Sequence, residues 1–200
     1  YGIMIKHARI ENKQIRVPKW VFIALENGTA SGEQTSTFIP ADWKKKWMNW
    51  QQEETGLYPL PTAIQATLRT YQQKGYEWMR LLDEIEAGVF LADDMGLGKT
   101  LQTICYMAWL AENRTRGNML IICPASLVYN WQHEIRKFAP GLTTVIYHGS
   151  TREESLFEHE GVQIIISTYG TIRSDEAFIL TQSFVAVILD ESHTIKNPSS

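Results

Sequence analysis

Cysteine is scarce in this 200-residue chain: two residues, Cys105 and Cys123, both inside apolar runs and without metal-ligand spacing. They offer no zinc site and read as buried free thiols in a reducing, cytosolic protein. No apolar run is long enough to span a bilayer, and the start lacks the pattern of a signal segment, so no membrane partner is expected. Internal repeats and low-complexity tracts are missing too. So is an excess of positive charge: the net charge is -3, whereas nucleic-acid modules are commonly basic. The charge is uneven, with eight Lys and Arg against six Asp and Glu in the first 60 residues, leaving eleven against sixteen for the rest. Composition therefore neither supports nor excludes a nucleic-acid partner. What is present is 44% hydrophobic and 11% aromatic, enough to build a core for one domain with a smaller neighbour. The chain opens at Tyr1 and stops at Asn197-Pro198-Ser199-Ser200, and both ends read as cuts in a longer protein.

Along the chain, Leu57-Tyr58-Pro59-Leu60-Pro61 looks like a linker, separating an accessory region (1–58) from a main domain (59–200). Before it, residues 16–25 are followed by the hairpin-turn pair Asn27-Gly28. Residues 41–54 then predict a helix, with Trp43, Trp47 and Trp50 on one side. After the linker, apolar segments at 88–92, 119–123, 143–147, 162–167 and 185–189 alternate with helical stretches, one of them carrying Leu127, Trp131, Ile135 and Phe138 on one stripe. Strands this apolar are buried on both faces, as parallel strands covered by crossover helices are. The expectation is an α/β fold with a parallel sheet flanked by helices and a ligand at the carboxyl ends of the strands.

The first of these strands runs into Asp93-Asp94-Met95-Gly96-Leu97-Gly98-Lys99-Thr100, and a helix begins at once. Strand, glycine turn, Lys-Thr and helix are the required context for a phosphate-binding loop. The glycines let backbone N–H groups converge on one phosphate, and the helix start adds its positive dipole end. Lys99 supplies a charge for the outer phosphates, and the Thr100 hydroxyl is placed to ligate Mg²⁺. In the general pattern a glycine stands where this chain has Asp93.

The last strand ends in Asp190-Glu191-Ser192-His193. A carboxylate at such a strand tip can hold Mg²⁺, and Glu191 can orient and deprotonate the water that attacks the γ-phosphate. An apolar run followed by two acids is otherwise an ordinary strand end with a solvated turn, and the phosphate loop upstream is what favours the catalytic reading. His193 either couples the nucleotide site to a second lobe or caps the turn.

The sequence from Asp93 to Thr100 closely resembles the phosphate loop of the Swi/Snf family within helicase superfamily two, and family membership then accounts for Asp93. The segment Leu68 to Trp78 looks like the family's adenine-recognition motif, with Gln72 reading the adenine edge. Ile122 to Trp131, His148-Gly149, Ile166 to Gly170 and Asp190 to Asn197 match further motifs in the right order, so the resemblance covers residues 59–200. Ser192 stands where the family more often has alanine or glycine. The resemblance implies the N-terminal RecA-like lobe of an ATP-dependent motor that tracks along double-stranded DNA, with a second RecA-like lobe closing over ATP. It implies ATP-binding roles for Arg69, Gln72, Asp94, Met95, Gly96, Leu97, Gly98, Lys99 and Thr100, with Lys99 and Glu191 in the catalytic step. Mg²⁺ falls to Thr100 and Asp190, and DNA contacts to Ser126, Thr168 and Thr171.

Those three hydroxyls also have ordinary readings, Ser126 as a helix N-cap and the threonines as turn residues. The tryptophan stripe fits core or docking better than base stacking, and Lys44-Lys45-Lys46 fits a solvated face. Residues 1–58 match no motif and fit the end of an accessory domain of the kind that precedes the motor in bacterial members, which implies a cytoplasmic, nucleoid-associated protein. Two other readings compete with the DNA motor: an RNA or single-strand helicase lobe, disfavoured by Asp93-Asp94, and a regulatory module that binds nucleotide without hydrolysing it.

Overall fold

The computed structural model describes residues 3–6, 10–11, 14–15, 41–51, 56–85, 88–91, 96–113, 117–150, 152–158 and 164–191. At its centre β5 (Asn118–Cys123), β6 (Thr144–Tyr147), β7 (Ile164–Thr168) and β8 (Phe184–Leu189) run parallel in the order β8-β5-β7-β6. Every residue of β5 and β7 is buried, because each face of the sheet is covered. On one face Met119, Ile121, Cys123 and Ile166 join a core with α1 (Ala41–Gln51), α2 (Thr70–Asp83), α3 (Lys99–Asn113) and α4 (Val128–Phe138). On the other, Leu120, Ile122 and Ile165 meet Phe157 of the 3-10 turn Glu154–Phe157, Ile172 of α5 (Tyr169–Ser174) and Ile179 of α6 (Glu176–Ile179). Neighbouring residues of one strand thus feed two cores, as the period of two requires.

The strand that leads to the phosphate loop, β4 (Val89–Leu91), belongs to the same sheet but does not touch β8. Between them lies β1 (Ile3–Lys6), antiparallel to both, with Met4 opposite Phe90 on one side and Leu189 on the other. The five strands expected from the sequence are all present within a residue or two. The sixth was not expected, and it adds an antiparallel strand beside the expected parallel sheet. A four-residue apolar segment has too little pattern to separate a strand from a loop; only the open slot between two paired neighbours makes it a strand. A short hairpin, β2 (Ile10–Glu11) with β3 (Gln14–Ile15), follows it. The segment 16–25 and the Asn27-Gly28 turn lie outside the described residues.

Helix α1 docks on α2 through its tryptophans, as core or docking residues do. Trp47 stacks between Trp43 and Trp50, with ring centroids 5.5 and 5.7 Å away, and Trp50 stacks on Trp78 of α2 at 4.8 Å. The Trp43 indole is buried and donates to the Leu81 carbonyl at 2.7 Å. Lys46 departs from the solvated-face reading by pairing with Glu84 at 2.8 Å, while Lys45 is exposed. The stretch read as a linker is pinned to the same helix: Tyr58 is buried and its hydroxyl donates to Glu84 at 2.7 Å. Trp43→Ala removes a buried ring and a satisfied N–H together, so it is expected to lower stability by about 3–5 kcal/mol. A fall in the urea midpoint with unchanged slope checks this, and an unmoved midpoint would show that α1 is dispensable.

Cys105 and Cys123 are buried free thiols, with burial pushing both up to about 12. No helix among the described residues is long and apolar enough to cross a membrane.

Candidate active site

The phosphate loop enters the described structure at Gly96; Asp93, Asp94 and Met95 lie outside it, as do Ser192 and His193. Gly96 and Gly98 have φ of +83° and +73°, the left-handed region that glycine enters without a Cβ penalty. At Gly98 a Cβ would also meet the Gln72 amide, whose side chain would have to move aside. Helix α3 starts at Lys99, and its first ladder bond runs from Gln102 N to the Gly98 carbonyl at 3.2 Å. Lys99 and Thr100 are half-buried, while Gly96 and Leu97 are exposed. The N–H groups of the first turn of α3 have no partners within the helix, which is what suits such a turn to an anion.

Gln72 bridges α2 and this loop. Its Oε1 accepts from the Arg69 backbone N–H at 3.0 Å, closing half of a capping box, and its Nε2 makes a long 3.4 Å contact to the Leu97 carbonyl. The residue expected to read adenine therefore lies directly against the residues expected to hold phosphate. Arg69 is exposed at the N-terminus of α2.

Asp190 continues the sheet for one more bond, its N–H donating to the Ile122 carbonyl at 2.9 Å. Its carboxylate accepts from the Trp131 indole at Oδ2 (2.8 Å) and from the Glu191 N–H at Oδ1 (2.9 Å). The Asp190 carbonyl accepts from the Tyr169 hydroxyl at 2.7 Å. Glu191 has φ of +51°, a conformation that non-glycine residues adopt rarely and that clusters at functional sites. Burial raises the Asp190 carboxyl above the ordinary carboxylate range; the indole and the Glu191 N–H oppose this, the Glu191 charge adds to it, and the Lys99 charge lowers it.

Mg²⁺ fits this arrangement. Each Asp190 oxygen carries one hydrogen bond and keeps acceptor capacity, and a half-buried carboxylate gains from a cation. Among the described residues no group of three or more His, Cys, Asp or Glu side chains could hold a metal alone.

The three hydroxyls assigned to DNA sit at the carboxyl ends of β5 and β7. Ser126 is exposed in the 3-10 turn Ala125–Leu127. It does not cap α4, whose N-cap is Leu127 with no side-chain cap bond. Thr168 and Thr171 are buried and linked to each other at 2.9 Å, with Thr168 capping α5 and His148 Nδ1 3.0 Å from Thr171. The ordinary turn-residue reading is thus realised for the two threonines, and of the three only Ser126 presents an exposed side chain.

Sequence reasoning missed two residues that hold Asp190 and one polar cluster apart from it. In the sequence Trp131 shows only as part of a helical stripe and a motif, and Tyr169 only as part of a motif, although a buried indole or phenol needs a polar partner and so points to one. The third is a clamp: Arg152 grips Asp175 through Nε (2.6 Å) and a terminal nitrogen (2.8 Å), and Tyr147 donates to the same carboxylate at 2.8 Å. Arg152 and Tyr147 hold the Asp175 carboxyl far below the usual range. These residues line an open polar cleft of about 260 Å³ with Ser150 and Glu154. It shares no residue with the motifs expected to bind nucleotide.

A parallel sheet with a glycine loop and a Lys-Thr helix start at one strand, and an Asp-Glu pair at another, defines a P-loop ATPase lobe of the RecA-like kind. Residues 71–200 match the SNF2-related domain, and the chain belongs to that family, the Swi/Snf ATPases of helicase superfamily two. It is 37% identical over 145 residues to Helicase SWR1 of Candida albicans, covering 70% of this chain and 9% of that protein. Over 157 residues it is 39% identical to TATA-binding protein-associated factor MOT1 of Saccharomyces cerevisiae, covering 72% and 8%. Among solved structures it resembles the Sulfolobus solfataricus SWI2/SNF2 ATPase core in complex with dsDNA, at TM-score 0.57 and 34% identity, covering 72% of this chain and 30% of that one. The chain thus spans about a tenth of the length of the curated relatives it matches.

Proposed function

We propose that this chain is the first, ATP-binding lobe of a motor that hydrolyses ATP to move along double-stranded DNA or remodel protein–DNA complexes. The observation that carries it is the placement of the Gly96–Thr100 loop after β4 and of the Asp190-Glu191 pair after β8, two strands of one sheet that point the same way because each is antiparallel to β1. In this reading the loop N–H groups and Lys99 hold the phosphates, and Arg69, Asp94, Met95, Gly96, Leu97 and Gly98 complete the ATP site. Gln72 recognises adenine, because its amide both donates and accepts, whereas guanine presents the opposite pattern. Thr100 and Asp190 hold Mg²⁺, which supplies charge neutralisation for the transferring phosphoryl group. Glu191 takes the proton of the attacking water.

Duplex DNA lies along Ser126 and the Thr168–Thr171 segment, where backbone N–H groups and hydroxyls suit phosphate contacts. A second RecA-like lobe of the longer protein closes the cleft, and such a motor works where its DNA is, in a bacterium the cytoplasm at the nucleoid. The MOT1 and SWR1 relatives and the dsDNA-bound structural neighbour support this reading over an RNA or single-strand helicase. The test is steady-state ATPase activity of the longer protein with duplex DNA, single strands and RNA. Duplex is expected to stimulate most. Stimulation by RNA or single strands alone would favour the helicase alternative, and binding without turnover would favour the regulatory module.

A further inference from the structure

Asp190 is approached from both segments assigned to the DNA path. Trp131 stands five residues after Ser126, on the helix that the Ser126 turn introduces, and Tyr169 directly follows Thr168. Cys123 pairs with Thr168 across β5 and β7, and Ile122 pairs with Leu189 across β5 and β8, so all three segments leave the same edge of the sheet. The two contacts act on different atoms. Trp131 holds the carboxylate at 2.8 Å, and Tyr169 holds the carbonyl at 2.7 Å.

That carbonyl and the Glu191 N–H belong to one peptide plane. The plane is therefore pinned at both ends: its oxygen by Tyr169, and its N–H by the Asp190 carboxylate that Trp131 in turn fixes. The orientation of this plane sets the left-handed turn at Glu191, a conformation that persists only where its surroundings over-determine it. Movement of either DNA-facing segment is transmitted through one side chain to the metal ligand or to the base.

Resting on the motor reading above, we propose that Trp131 and Tyr169 are positioning residues that carry duplex occupancy to Asp190 and Glu191. Neither touches the substrate. A buried indole satisfied by a convenient carboxylate would serve packing alone, and the two roles differ in what they do to DNA stimulation.

The experiment uses the longer protein with Trp131→Phe and Tyr169→Phe, each keeping an aromatic ring and removing one donor. The stimulated-to-basal ratio of ATPase rates is expected to fall roughly tenfold in each, as loss of one hydrogen bond to a charged or strained group implies, while duplex affinity and KM for Mg-ATP stay within about threefold. Independently of turnover, 5-fluorotryptophan labelling is expected to show one ¹⁹F resonance, assigned by its loss in Trp131→Phe, that moves when duplex is added to wild type. Equal losses of basal and stimulated rates would make the residues structural and overturn the inference, as would a resonance indifferent to duplex. Weakened duplex binding in step with lost stimulation would place them in the DNA surface instead, which also overturns it. A wild type that duplex does not stimulate removes the motor reading and this inference together; stimulation that survives in both variants removes only the inference. If Trp131→Phe fails to fold, Tyr169→Phe, which loses one hydroxyl, decides.

Discussion

Glu191→Gln in the longer protein is expected to lower duplex-stimulated ATP turnover by about 10²–10⁴-fold, the range for removing a general base. The substitution keeps the side-chain shape and removes the carboxylate's negative charge together with its ability to take a proton. Two contacts that hold the turn are made by backbone: the Glu191 N–H to Asp190, and the Asp190 carbonyl to Tyr169. The left-handed turn and Asp190 therefore stay as they are, and Mg-ATP affinity is expected to remain within a few fold. Turnover and nucleotide titration measured on the same preparation separate the two effects. Turnover at or near the wild-type level would remove Glu191 as the base. Loss of nucleotide binding in parallel would mean that the side chain contributes to the ground-state site.

An equally large effect is expected from comparing residues 1–200 alone with the longer protein. This chain spans about a tenth of its curated relatives, and the motor reading places an arginine that stabilises the transferring phosphoryl group on a second lobe. Such arginines are worth about 10³–10⁵ in rate. The isolated chain is expected to fold and to bind Mg-ATP weakly through the Gly96–Thr100 loop, with turnover at the background level and no response to duplex. A coupled ATPase assay with and without DNA checks this. Robust DNA-stimulated hydrolysis by residues 1–200 would place every catalytic charge inside this chain and end the two-lobe account.

Much of the nucleotide site was legible because its signals are local. The Gly96-Leu97-Gly98-Lys99-Thr100 stretch carries its own turn, charge and helix start within five residues, and positive φ at both glycines is what such a turn demands. The apolar runs of β5 and β7 read as buried parallel strands for the same reason: covering both faces leaves no alternation to display. Less legible was the surface assigned to DNA. Hydroxyls suit phosphate contact and helix capping equally in a sequence, and only packing shows that Thr168 caps α5 while Ser126 does not cap α4.

The sequence by itself determined the class of the fold, the glycine turn with its Lys-Thr helix start and the acidic strand end, because each is written in a short window by glycine, charge and hydrophobic period. Only the tertiary structure decided what surrounds them. Trp131 and Asp190 are 59 residues apart in the chain, and Gln72 and Leu97 are 25 apart. The slot between β4 and β8 is filled by the first residues of the chain, whose composition announces nothing. Such contacts depend on which elements pack together and in what register, a property of the whole assembly to which no local pattern is sensitive.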